Sequence, residues 1–198
     1  MSKSQEAKLV TRCGWPSEDA LMIAYHDEEW GVPLHDDRKL FEFMVLDAVQ
    51  AGLSWRTVLH KRENYRKALH DFEAARIARY KDKDVARLLS DAGLVRNRLK
   101  MAAIVENARQ FLAVQKEFGT FDNFIWQFTG GKTIVNRFKT MKEIPAMSPE
   151  AEAMSKELKT RGFKFVGPTI CYAFMQAAGM VNDHTVDCFR HRELLKLK

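Results

Sequence analysis

Asp36-Asp37-Arg38-Lys39-Leu40-Phe41-Glu42-Phe43-Met44-Val45-Leu46-Asp47-Ala48-Val49-Gln50-Ala51-Gly52 is the stretch that decides the fold. Leu40, Phe41, Met44, Val45, Ala48 and Val49 recur at helical spacing, where a strand would alternate at every second residue. The pattern starts after Asp36 and stops at Gly52, a residue that ends helices. One residue breaks the apolar rule. Leu40, Met44, Asp47 and Ala51 fall on one stripe of the helix, so Asp47 lies on an apolar side beside Leu46. A buried carboxylate is costly unless paired or hydrogen-bonded. Asp47 is therefore either a structural acid held by a backbone amide or an arginine, or a carboxylate at the floor of a pocket. The pattern leaves the two even.

Outward from this helix, nearly every periodic segment is again helical. Ser54 can cap a helix from Trp55 to about His70, and Asp84 a short one ending at Gly93. Leu99, Met101, Ile104, Val105, Ala108, Phe111 and Leu112 mark a long helix ending at Gly119. Thr120 can cap Phe121–Phe128, and residues 129–147 read as a loop with an irregular extended stretch. Ser148-Pro149-Glu150 is a strong helix start, and that helix ends at Gly162. A last helix runs from Pro168 to Met180. The class is all-α.

Between the last two helices lies Lys164-Phe165-Val166-Gly167-Pro168-Thr169. Gly167 allows a tight turn at positive φ, and Pro168 can start the next helix. Such a hairpin can present backbone N–H groups to a phosphate. By itself it reads more readily as an ordinary helix–helix turn.

The chain has 198 residues, 46% of them hydrophobic, enough for one domain or two small lobes. No run of eighteen apolar residues occurs, so no membrane span is expected. The opening MSKSQEAKLVTR lacks the apolar region of a signal peptide and reads as a polar tail. Three cysteines make no disulfide framework, which fits a reducing, cytoplasmic setting. A net charge of +6 is compatible with a polyanionic partner and does not by itself require one.

Cys13 and His26 near the start, with His184 and Cys188 near the end, have the composition of a closed structural zinc site. A helical turn would point His184 and Cys188 the same way. Two Cys and two His in a chain this long are more often unrelated, so spacing leaves the site open. The aromatics Trp15, Tyr25, Trp30 and Trp55 lie close to these features. They read as core or as a stacking slot for a base with Asp47 at its edge.

Several strings together carry a resemblance. They are Cys13-Gly14-Trp15, Tyr25-His26-Asp27-Glu28-Glu29-Trp30-Gly31-Val32-Pro33, Gln50-Ala51-Gly52-Leu53-Ser54-Trp55, Lys61-Arg62-Glu63-Asn64-Tyr65, Arg161-Gly162-Phe163-Lys164-Phe165-Val166-Gly167, Thr169-Ile170-Cys171-Tyr172 and Asn182-Asp183-His184. From about residue 12 to 190 the chain resembles the bacterial 3-methyladenine DNA glycosylase I family of the helix-hairpin-helix superfamily. The resemblance implies a two-lobed helical fold, with a single glycosylase domain over 12–192 between tails at 1–11 and 193–198. It implies one structural zinc on Cys13, His26, His184 and Cys188, joining the terminal segments. It places Tyr25 and Trp55 around the excised base, with Trp30 and Trp15 nearby and Asp47 reading its edge. It makes Phe165, Val166, Gly167 and Thr169 part of a DNA-clamping hairpin. It gives Leu53, after Gly52, as the wedge that fills the gap in the stack.

The implied reaction is removal of 3-methyladenine from double-stranded DNA by a monomer, with the free base and an intact abasic strand as products. Two positions qualify it. The family carries Glu where this chain has Asp47, one methylene shorter. At the position of the superfamily's lyase lysine stands Thr169, which offers no amine for a Schiff base. Asp187 lies twenty residues after Gly167, the spacing of a catalytic acid in related glycosylases, although this family is described as lacking one. A non-catalytic binder of damaged DNA, or a zinc-stapled RNA- or protein-binding module, are the rival readings.

Overall fold

The computed structural model describes residues 10–197. Its helices in chain order are α1 Ala20–Glu28, α2 Asp37–Gln50, α3 Trp55–Leu59, α4 Arg62–Ala68, α5 Ala74–Ile77, α6 Asp82–Ser90, α7 Arg98–Phe118, α8 Phe121–Ile125, α9 Pro149–Thr160, α10 Pro168–Ala177 and α11 Phe189–Leu194. Short 3-10 turns occupy Trp126–Thr129 and Met141–Glu143. Strands β1 Ile134–Val135 and β2 Val181–Asn182 form a two-residue parallel pair, Ile134 opposite Val181. The fold is mostly helical, and no described helix is long and apolar enough to cross a membrane.

Helix α2 is the central element and packs against α3, α7, α8 and α10. It is buried from Leu40 through Val49, so its polar residues there, Glu42 and Asp47, are inside with the rest. Asp36 caps it by accepting from the Lys39 amide at 2.9 Å. Asp37 then ties its start to α8, taking the Phe121 and Asp122 amides at 2.8 Å each and Gln115 Nε2 at 2.6 Å. Helices α9 and α10 pack on each other, and α5 and α6 lie on α7.

Several expectations change. The helix expected from Trp55 to about His70 is two, broken at His60-Lys61. No Gly or Pro marks this break. The new axis lets Arg62 and Arg66, one turn apart, both reach Glu42. Asp84 is not the cap of α6 but sits in its first turn, where its carboxylate accepts from the Lys81 amide at 2.9 Å. His184 and Cys188 share no helical turn, because Thr185–Cys188 is a tight turn and Cys188 is the cap of α11. Helix α11 continues past residue 192 and buries Leu194, across the start expected for a C-terminal tail. Of the tail expected at 1–11, residues 1–9 lie outside the described residues, and the Thr11 carbonyl accepts from the Phe189 amide at 3.0 Å.

The end of α10 lies against the segment after α1. Gly31 N–H donates to the Gln176 carbonyl at 2.9 Å and Leu34 N–H to the Ala178 carbonyl at 3.1 Å. The backbones come so close that a Cβ on Gly179 would sit 2.3 Å from the Val32 carbonyl carbon, and Gly179 is also held at a φ of +67°. Only glycine meets both conditions.

Candidate active site and metal centre

A cavity of about 590 Å³ opens between α1, the end of α2, α3 and α10. Trp15, Tyr25, Trp30, Asp47 and Trp55, all singled out in the sequence, line it together. Their rings form one contiguous cluster. Trp15 lies 5.2 Å from Trp30 and 6.1 Å from Tyr25, centroid to centroid, and Tyr25 lies 4.9 Å from Trp55. A base between two rings needs a gap of about 7 Å, twice the contact distance of carbon atoms. Tyr25 and Trp55 thus touch each other at an interplanar angle of 45°, too close for a ring to lie between them in this structure.

The polar atoms of this wall lack partners. Asp47 Oδ2, Trp15 Nε1 and Trp55 Nε1 are all buried without a hydrogen bond among the described residues. Asp47 is 2% exposed, and burial pushes its carboxyl well above the ordinary carboxylate range. Burial, with the Asp47 charge second, also raises the Tyr25 hydroxyl. Such groups are normally satisfied, so three on residues that line one cavity set this wall apart from an ordinary core. Asp47 also borders a second, much smaller void, shared with Met44, Met154, Val166 and Cys171.

Of the far wall the sequence reading singled out Thr169 alone, and that as part of the hairpin. Thr169, Tyr172, Ala173 and Gln176 line the cavity from one face of α10, at the spacing that marks such a face. Asp183 holds two of them from behind. Its Oδ2 accepts from the Tyr172 hydroxyl at 2.7 Å and from Gln176 Nε2 at 2.8 Å, and its Oδ1 from Asn136 Nδ2 at 2.7 Å. Met141, Ile144, Pro145 and Ala146 close one rim from the stretch read as loop. Asp187 is exposed and lines no part of the cavity.

The turn after α2 borders the mouth. Gly52 has a φ of +75° with open space where a Cβ would stand, and Leu53 is 41% exposed. Lys100 anchors this turn from α7. Its buried Nζ donates to the Val49 carbonyl at 2.8 Å and the Ala51 carbonyl at 2.6 Å. Burial lowers its pKa.

At the hairpin, positive φ falls on Gly162 and Phe165, not on Gly167, whose φ is −65°. Asn107 holds the turn from both sides, accepting from the Lys164 amide at 2.7 Å and donating to the Lys164 carbonyl at 3.0 Å. Ser155 Oγ donates to the Val166 carbonyl at 2.6 Å. Gly167 needs no special backbone, and a Cβ there would meet nothing within 4 Å. Neither conformation nor internal crowding calls for glycine at that point.

Behind the aromatic wall Cys13, His26, His184 and Cys188 meet, all buried, with their donor atoms within 4.8 Å of one another. Cys13 Sγ and Cys188 Sγ each lie 3.5 Å from His184 Nδ1, and Cys188 Sγ lies 3.6 Å from His26 Nε2. Tetrahedral zinc with ordinary Zn–S and Zn–N bonds sets such edges at about 3.6 Å. The tautomers agree. His184 Nε2 faces the Trp30 carbonyl at 2.9 Å, so that nitrogen carries the proton and Nδ1 turns a lone pair to the cluster. His26 Nδ1 faces Asp27 at 2.7 Å, leaving Nε2 free, and Asp27 is held by Arg12. Contact with Cys13 pulls the Cys188 thiol down, while the Cys13 thiol is pushed up by its hydrogen bond to Cys188. The residues fit a tetrahedral metal ion. The cluster also backs the cavity, since His184 packs on Trp30 and His26 on Trp15.

Comparison with known proteins agrees with this geometry. The family model described as methyladenine glycosylase matches residues 15–191. DNA-3-methyladenine glycosylase 1 of Escherichia coli is 52% identical over 90% of this chain and 96% of its own length. DNA-3-methyladenine glycosylase of Haemophilus influenzae is 47% identical over 91% and 97%. A crystal structure of 3-methyladenine DNA glycosylase I, 52% identical, superposes with a TM-score of 0.89 over 90% of this chain and 98% of that one. A tyrosine-to-phenylalanine mutant of 3-methyladenine DNA glycosylase I in complex with 3-methyladenine is 35% identical and has a TM-score of 0.87 over 90% and 96%. With a helical fold, an aromatic cavity and relatives matched over nine-tenths of its length, the chain belongs to the methyladenine glycosylase family.

Proposed function

We propose that this protein removes 3-methyladenine from alkylated DNA by hydrolysis of the glycosidic bond, leaving an abasic strand. One observation carries the reading: Asp47, Trp15 and Trp55, each with a buried polar atom that has no partner among the described residues, line one aromatic cavity large enough for a purine. Names of relatives that share about half of its residues point the same way.

Methylation at N3 makes the adenine cationic in the nucleotide and weakens its bond to the sugar. When that bond breaks, its electron pair neutralises the base, and water adds at the cationic sugar carbon and gives up a proton to solvent. A carboxylate near the cation favours the reactant over the neutral product, so Asp47 selects the lesion rather than speeding its departure. It also accepts from the base's N6–H. Tyr25, Trp55, Trp30 and Trp15 hold the extruded ring. Leu53 fills the gap left in the stack. Phe165, Val166, Gly167 and Thr169 belong to a helix-hairpin-helix clamp on the backbone, where an uncrowded Gly167 admits a phosphate. The two lobes carry cavity and clamp, and the setting is cytoplasmic.

Zinc is the metal that the Cys2His2 set suits. Four protein ligands leave no open position for water, so its role is structural, and it would hold Trp15, Tyr25 and Trp30 in place from behind. Metal analysis of protein purified without chelator should find one zinc per chain, and Cys188→Ser should lower both zinc content and Tm. Absence of zinc would end this assignment.

The activity is tested by incubating methylated DNA with the protein and identifying the released bases by chromatography. Chiefly 3-methyladenine is expected. 7-Methylguanine should be poor, because its O6 would face an acceptor and leave buried groups unpaired. Release of neither base makes the protein a binder, and equal release removes the role given to Asp47.

A further inference from the structure

The first turn of α7 and the residues just before it hold three side chains to which the proposed function gives no task. Leu99 is 72% exposed, the most of any large hydrophobic among the described residues. Arg96 and Arg98 beside it are exposed as well. Among the described residues no carboxylate pairs with either, whereas Arg76 on α5 and Arg109 farther along α7 each hold a glutamate three positions away. A protruding leucine flanked by two unneutralised guanidiniums is a poor surface for water alone.

Its position is fixed by the neighbouring residue. Lys100 is buried and reaches with its ammonium to the carbonyls of Val49 and Ala51. The start of α7 is thereby held against the turn that carries Gly52 and Leu53. Two exposed leucines on two separate elements are coupled through one buried cation, and the outer one brings positive charge with it.

We propose that Arg96, Arg98 and Leu99 form a second DNA contact beside Leu53. The guanidiniums take backbone phosphates, for which their planar fork is suited. Leu99 packs on the sugar and base edges exposed where the duplex is distorted, as apolar side chains do at such steps. The inference rests on the reading of duplex DNA as substrate and adds a second point of attachment to it.

The test is binding to a duplex containing a tetrahydrofuran abasic site, followed by fluorescence anisotropy over a range of salt concentrations. For Arg96→Gln with Arg98→Gln, the slope of log affinity against log salt should become shallower by about 1.8, the loss of two phosphate contacts at roughly 0.9 each. Leu99→Ser should weaken binding about tenfold at every salt concentration, with the slope unchanged. All three positions are exposed, so Tm should stay at the wild-type value and confirm that the variants fold. Variants that bind with wild-type affinity and slope overturn the proposal, as does a wild type that does not bind the duplex. Base release from methylated DNA is measured in parallel. A wild type that binds through these residues yet releases no 3-methyladenine refutes the activity and leaves this surface standing.

Discussion

Helix α2 buries two acids, Glu42 and Asp47, and treats them in opposite ways. Glu42 Oε1 accepts from Arg62 Nε at 2.6 Å and from Arg66 Nε at 2.9 Å, and Arg62 also grips Glu29 through both of its terminal nitrogens. Asp47 is equally enclosed, yet its Oδ2 has no donor and burial raises its pKa. A buried charge kept for the fold is surrounded by its counter-charges, because an unpaired one is expensive. A buried acid left open toward a cavity is stable only because it can hold its proton, and it gains most from a ligand that brings a donor or a positive charge. Two acids on one helix thus separate an acid held by the fold from one left free for the recognition role proposed above.

The largest expected effect tests the architectural acid. Arg62→Met removes the bridge between Glu42 and Glu29 and should cost about 3–5 kcal/mol in urea unfolding. A loss below about 1 kcal/mol would mean that Glu42 does not depend on this pairing, and the contrast with Asp47 would collapse. Next is the recognition acid. Asp47→Asn should weaken binding of free 3-methyladenine by about 1.5–3 kcal/mol, read by calorimetry.

The same substitution should make the unliganded fold more stable, and the pH dependence follows from the raised pKa of Asp47. Its folded value lies above its unfolded one, so ionising it costs folding energy as pH rises past the unfolded value. The cost is complete above the folded value. The gain in Tm from Asp47→Asn is therefore absent near pH 3 and grows with pH, to about 2–4 °C if the relief is ~1 kcal/mol. A Tm that falls at every pH would reveal a structural partner for Asp47.

Lys100 supplies an intermediate case, a buried cation whose partners are backbone carbonyls. Lys100→Met should reduce excision from duplex DNA by about 1–2 kcal/mol of transition-state stabilisation, since it frees the turn bearing Leu53. Unchanged single-turnover rates would show the turn to be rigid without it. The smallest effect belongs to Asp187→Asn, which should leave excision untouched because that side chain is exposed and outside the cavity. Loss of excision there would put a catalytic acid in the C-terminal turn, where the proposed mechanism has none.

The parts of this molecule that were legible in the sequence are those where pattern and chemistry coincide. The periodicity of α2 predicted its burial and marked Asp47 as out of place. The four metal-binding candidates were visible as residue types, although only the fold brings Cys13 to His184. Residues whose meaning depends on a neighbour were hidden. Lys100 reads as a surface lysine until α2 ends beneath it. Asp183 reads as an ordinary acid until Tyr172 and Gln176 turn toward it. Helix α1 showed no clear stripe, because the apolar Leu21, Ile23 and Ala24 lie outside the buried face of Met22, Tyr25 and His26. The break between α3 and α4 lacks a Gly or Pro and follows from the two arginines that reach Glu42.

The thiol–imidazole cluster joins positions 171 apart in the chain. Contacts of that separation form late, because the entropy of closing so long a loop must be overcome before the contact returns anything. A chain growing from its N-terminus makes Trp15, Tyr25 and Trp30 early and holds them without backing until His184 and Cys188 arrive. Synthesis halted short of them yields helices but no braced cavity. The aromatic wall is therefore braced only once His184, 171 positions after Cys13, has joined it.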